Sequence, residues 1–250
     1  MAMSSENNSD TTISCVLNGH REGYLIYPTI RSIKRTVDYA RACGLKAELL
    51  AVLDRPDDET RSIVERELAN YGAVHIVDEG DLGLARNFGV TRCNGEYIAF
   101  IDGDDLWSQT WLVDAYLTCS SHEKETIIHP EFNVYFGNEH AHTLQHVDME
   151  DVDFNMEHLS VENYWTALSF ARRQTYKQTP YRKNEIKSGF GYEDWTWNYE
   201  TIQKGCIHKV ATGTSHFIRR GKASVSLLDQ TNLGNSVPRV LDAYRLSSAA

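Results

Sequence analysis

The stretch GEYIAFIDGDDLW, Gly95–Trp107, decides the fold: a run of apolar residues drives into three carboxylates, Asp102, Asp104 and Asp105, and then turns aromatic. EYIAFI reads as a strand, because a short apolar run bounded by glycine is the pattern of a strand buried on both faces. Like charges crowded at one strand end repel each other and lose hydration. The corner therefore costs stability unless solvent or a cation offsets it.

Working back from that strand, AVHIV reads as a strand and LGLARNFGVTRCNG as the helix that follows it. Earlier still, ISCVL (Ile13–Leu17) is a short apolar run, followed by PTIRSIKRTVDYARACG with Ile30, Ile33, Val37 and Ala40 at helical spacing and Gly44 as its stop. KAELLAVLD ends a second strand at Asp54, and DDETRSIVERELANYG opens with acids suited to a helix N-terminus and stops at Gly72. Strands alternating with helices predict an α/β fold, a parallel sheet covered on both faces. In such sheets ligands bind outside the carboxyl ends of the strands. Asp54, the loop Asn18–Gly23 and Asp102–Asp105 are therefore expected on one rim.

Working forward, SQTWLVDAYLTCSS reads as a helix and TIIHPEFNVYFG as two short strands broken at Pro130. NEHAHTLQHVDMEDVDF has loop character and suits a lid or recognition loop. VENYWTALSFARRQTY reads as a helix, KQTPYRKNEIKSGFGY as a loop, and EDWTWNYETIQKG as a helix opened by two acids and closed by Gly205. CIHKVAT and SHFIRR are expected as the last two strands.

At 250 residues with 41% hydrophobic content the chain can bury one sizeable core. The expected division is a disordered polar tail over 1–12, one domain over 13–222, and a C-terminal extension over 223–250 leading to a partner or a further domain. A net charge of -10 argues against nucleic acid as a partner, since that binding rests on clustered Lys and Arg. Five cysteines without a CxxC pair fit reduced thiols in a cytosolic protein, as core filler. No window approaches the roughly 20 apolar residues of a membrane helix. The expected location is cytoplasmic, or peripheral at the inner face of a membrane.

DLGLARNFGVTRCNGEYIAFIDGDDLW, with GYEDWTW downstream, resembles the family 2 glycosyltransferases. The resemblance is carried by Asp54, by the ARN and GEYIAFIDGDD block, and by the YED block. It implies the GT-A fold, a Rossmann-like, mostly parallel sheet with helices on both faces. It also implies inverting transfer of a sugar from a nucleotide-diphosphate donor to a saccharide or lipid-linked saccharide acceptor, in cell-surface polysaccharide synthesis; a partner domain or membrane-associated complex is expected from the C-terminal segment instead. A departing diphosphate is well neutralised by Mn²⁺ or Mg²⁺ on carboxylates. By resemblance Asp54 contacts the nucleobase, Arg86 a phosphate, Asp102 the nucleotide and metal, and Asp104 the metal. Asp105 is a less certain neighbour of these. His216 is the candidate further metal ligand, with His208 or no histidine at all as the alternatives. Arg220, with Arg219 and Lys222, would hold the diphosphate. Asp194 would be the catalytic base, Glu193 would orient the acceptor, and Trp195 would stack on it. Each acid has a plainer reading as a helix cap, and Arg86 one as an exposed helix residue. A nucleotidyltransferase and a non-catalytic sugar- or nucleotide-binding module are the competing functions. NGHREG is a poor phosphate loop for the former, and the intact acids speak against the latter.

Overall fold

The computed structural model describes residues 11–137, 141–166, 168–221 and 227–240. Most of the expected tail, Lys222, and the ends of the expected extension lie outside them.

The described chain enters with β1 (Ile13–Gly19), buried throughout, and continues through α1 (Ile26–Ala42), β2 (Ala47–Asp54), α2 (Asp58–Leu68), β3 (Ala73–Val77), α3 (Leu82–Arg92) and β4 (Tyr97–Asp102). These are the alternating elements that the sequence predicts. Ile26, Ile30, Ile33, Val37 and Ala40 make one buried stripe along α1. Asp57 caps α2 by accepting from the Thr60 N–H at 2.8 Å, and Asp81 caps α3 by accepting from the Leu84 N–H at 3.0 Å. The four strands pair in parallel in the order β3-β2-β1-β4.

The second half comprises β5 (Leu106–Trp107), α4 (Trp111–Ser120), β6 (Thr126–Gly137), β7 (His142–Gln145), β8 (Phe170–Arg172), α5 (Arg173–Gln178), α6 (Glu193–Gln203), β9 (Ile207–Arg220) and α7 (Leu227–Leu233). The sheet order is β3-β2-β1-β4-β8-β6-β9-β5, with β7 paired to β6. Four expectations are corrected here. TIIHPEFNVYFG is a single strand, because a register shift between Pro130 and Phe132 absorbs the residue that cannot donate to the ladder. CIHKVAT and SHFIRR likewise form one strand, β9, which passes Gly213 at φ +81°. The expected lid contributes β7 to a hairpin. VENYWTALSFARRQTY is not a helix: FAR within it forms β8, antiparallel to both β4 and β6, and only the residues from Arg173 onward turn helical.

Two layers cover the sheet. Ile13, Cys15 and Leu17 face a core closed by α1, α2 and α4, whereas Val16 faces the core under α3, α5 and α6. A Cβ at Gly89 would lie 2.9 Å from Val16 Cγ1, so glycine lets α3 lie flush on β1. Of the five cysteines expected as core filler, Cys15, Cys93, Cys119 and Cys206 are free and buried, whereas Cys43, just past the end of α1, is free and exposed. Among the described residues no helix is long and apolar enough to cross a membrane.

Candidate active site

Successive strand residues point to opposite faces, so Asn18, Asp54 and Asp102 follow Val16, Val52 and Phe100 onto the α3 face of the sheet. The expected rim is present. Arg86 reaches it from α3 and is wholly buried. Its Nη2 donates to Asp102 Oδ1 at 2.9 Å and Oδ2 at 3.2 Å, and its Nη1 donates to Glu193 Oε1 at 2.9 Å. The guanidinium lies over the Tyr181 ring, 5.4 Å from its centre. Burial alone would lower its pKa, but the charges of Asp102 and Glu193 outweigh that and hold it protonated. The residue offered as a phosphate ligand thus joins the DGDD corner to the ED pair.

Glu193 is spent on this bridge, and its Oε2 also accepts from Asn184 Nδ2 at 3.0 Å. Asp194 differs. It is half-buried, and Asn163 Nδ2 lies 3.5 Å from its Oδ2. Burial first, and then the charge of Glu193, push its pKa up to about 7, where a carboxylate can take and return a proton near neutrality. Tyr192, immediately before the pair, is left-handed at φ 57° and ψ 60°. The loop leading into it is held by the C-terminal segment. The Gly191 N–H donates to Val237 O at 3.1 Å, and the Val237 N–H to Gly189 O at 2.9 Å. The Arg239 N–H donates to Thr196 Oγ1 at 3.1 Å.

Two site residues escape the sequence reading. Asn184 N–H and Nδ2 donate to Asp81 Oδ2 at 2.9 and 3.1 Å, so Asn184 ties the start of α3 to Glu193. Asp81 is recognisable as a helix cap, but nothing marks Asn184 within its loop. Asp54 accepts from the backbone N–H groups of Glu79, Gly80 and Asp81 at 2.9, 3.1 and 3.2 Å, and so fixes the β3–α3 turn.

The DGDD turn closes with the Asp105 N–H on Asp102 O at 3.1 Å, and Asp104 and Asp105 are both buried. A Cβ at Gly103 would meet Glu22 Cδ at 2.9 Å. From β9, Arg219 is held at this corner: its backbone N–H donates to Asp105 Oδ1 at 2.9 Å and its Nε lies 3.4 Å from Asp104 O. Arg220 instead sits over the Tyr135 ring at 5.0 Å. His216 is not brought to the acids. It is fully buried with its ring 4.6 Å from that of Trp111, and neither ring nitrogen has a partner among the described residues. Its place on β9 turns it towards α4 and into the core. Trp195 donates from Nε1 to Leu159 O at 2.7 Å and packs edge-on to Tyr192 at 5.8 Å.

A search of curated protein sequences found no match. Solved structures share the fold. Residues 1–349 of S. aureus TarS in complex with UDP-GlcNAc superpose with a TM-score of 0.66 at 16% identity, over 86% of this chain and 60% of that one. The same fragment with UDP gives 0.64 at 14% identity, over 84% and 61%. The mannosyltransferase PcManGT from Pyrobaculum calidifontis, in complex with GDP-Man and Mn2+, gives 0.59 at 14%, over 86% and 59%. The chain therefore spans about 60% of the length of these structures. Residues 14–191 match the profile described as Glycosyl transferase family 2, and the chain belongs to that family.

Proposed function

We propose that this protein is an inverting glycosyltransferase that moves a sugar from a nucleotide-diphosphate sugar to a saccharide or lipid-linked saccharide acceptor, in cell-surface polysaccharide synthesis. One observation carries the reading: Arg86 joins the strand-end acid Asp102 to Glu193, the immediate neighbour of Asp194, within a family 2 domain. In-line displacement needs a donor anchor and a proton acceptor on opposite sides of one anomeric carbon. Asp194 is the acceptor's base. Its raised pKa suits the task, and it is the acid of the pair that Arg86 leaves unpaired by ion pairing. Glu193 fixes Arg86 and, through it, the orientation of the site.

A divalent cation fits the donor set. Asp102 and Asp104 offer oxygen ligands two positions apart, and no group of three His, Cys, Asp or Glu among the described residues could hold a metal ion. The remaining ligands would be phosphates and water, the habit of Mg²⁺ and Mn²⁺. When bound, such an ion neutralises the charge of the departing diphosphate. Asp102 and Asp104 would hold it without His216, and Arg219 would support the phosphates from β9. The neighbours' UDP-GlcNAc and GDP-Man support a nucleotide-sugar donor without choosing the base. Contacts of Asp54 with the base and of Trp195 with the acceptor belong to the same proposal.

Asp194→Asn tests the reading, because it keeps shape and cannot accept the proton. Transfer from the preferred nucleotide sugar should fall about 10²-fold or more, with nucleotide affinity and melting temperature little changed. Undiminished transfer by this variant sinks the assignment.

A further inference from the structure

Asn18 ends the buried face of β1 in register with Asp102 and is 4% exposed. Neither its amide nitrogen nor its amide oxygen has a hydrogen-bond partner among the described residues, and the same holds for Arg86 Nε. Buried amides are nearly always paired, so an unpaired one at a strand end is a functional signal more than a packing detail. The topology sets the two groups at the same end of the α3–β1 contact. α3 touches β1 where Gly89 meets Val16; one helical turn back along α3 is Arg86, and two residues on along β1 is Asn18.

Arg86 Nη2 covers both oxygens of Asp102. Nη2 sets a positive charge against both Asp102 oxygens, and a guanidinium repels a cation placed beside it, so an ion bound at Asp102 favours release of the pair. Once released, Nη2 and Nε remain inside the protein and require an acceptor. Two buried amide oxygens near the network lack a partner, those of Asn18 and Asn184. Asn184 is already fixed by Asp81 and Glu193, at the Nη1 end of the guanidinium. Asn18 stands beside Asp102 itself.

We propose that Asn18 is a positioning residue of the donor site: its amide oxygen receives the Arg86 guanidinium when Asp102 turns to the nucleotide. Arg86 then keeps Glu193 while it exchanges Asp102 for Asn18, and the acid pair stays in place through donor binding. This rests on the reading of the rim as a nucleotide-diphosphate site.

The test uses Asn18→Leu, close in volume and apolar. Calorimetry with UDP, GDP, ADP and CDP, each with Mn²⁺, should show the affinity of the preferred nucleotide falling about tenfold or more. The melting temperature without nucleotide should stay level or rise, because an unpaired buried amide has been removed. Asn18→Val repeats the measurement should leucine overfill the site. Unchanged affinity overturns the inference, and so does a lower melting temperature, which would mean the amide was already paired. Loss of affinity in Asn184→Ala but not in Asn18→Leu would move the second seat to Asn184 and equally overturn it. If the wild-type protein binds none of the four nucleotides with Mn²⁺ or Mg²⁺, the donor-site reading itself fails and takes this inference with it.

Discussion

Asp194 and Glu193 are adjacent in sequence, yet one is ion-paired to a buried arginine and the other is pushed up to about 7 by burial and by its neighbour's charge. A base must be ionised to work. Turnover should therefore be low near pH 6 and climb through about pH 7 to a plateau. Glu193→Gln retains an acceptor for Arg86 and removes the neighbouring negative charge, so the acid limb of the profile should move to lower pH. A limb that stays put in this variant would remove Asp194 from the role. The acids and Arg86 were each legible as motif residues. That one guanidinium spans them was not, because Arg86 and Glu193 meet only through tertiary packing. The burial of His216 was hidden for a related reason: Thr214, His216 and Ile218 alternate into the core, and nearness to a strand end does not say which face a residue takes.

Elements were legible wherever helical and strand periods differ over a long run, as in the three strand–helix units and the fourth strand up to Asp102. β8 was not, because three residues carry too little pattern and the sheet's need for a strand between β4 and β6 overrides local preference. Phe170 packs in one core layer and Ala171 in the other, the alternation of a strand buried on both faces. The start of α6 depends on another short element. A Cβ at Gly191 would lie 2.5 Å from Thr231 Cγ2 on α7. Gly191→Ala should therefore force α7 away from the loop that carries the acid pair and cost about 1–3 kcal/mol by overpacking. Turnover should fall more than nucleotide affinity does. An equal loss of both, measured by kinetics and calorimetry on the same preparation, would deny α7 this supporting role.

Across the whole molecule, the second half buries a chain of imidazoles that the proposed reaction does not use. His129 Nε2 lies 2.8 Å from His208 Nδ1, and His208 Nε2 2.9 Å from Thr201 Oγ1 on α6, with Trp165 stacked against both rings. Burial lowers the pKa of His208 to about 3 and that of His146 to about 4, and holds His129 well below its ordinary value. The unfolded chain binds these protons from about pH 6.5 downward, so the stabilisation is complete above that pH. It is lost as the pH falls towards 4 and 3, at about 1.4 kcal/mol per pH unit for each ring. Urea unfolding at pH 7, 6 and 5 should show this decline, and His129→Gln should flatten it; an unaltered slope in the variant would assign the acid sensitivity elsewhere. The late arrival of β8 carries a further consequence, for the making of the protein. As the chain leaves the ribosome, β1 to β4 can pair before residues 103–169 have been added, and until Phe170–Arg172 dock, the edge of β4 is the apolar run YIAFI. Such an edge is a template for pairing with other chains, so aggregation during synthesis should be governed by how fast those three residues close it.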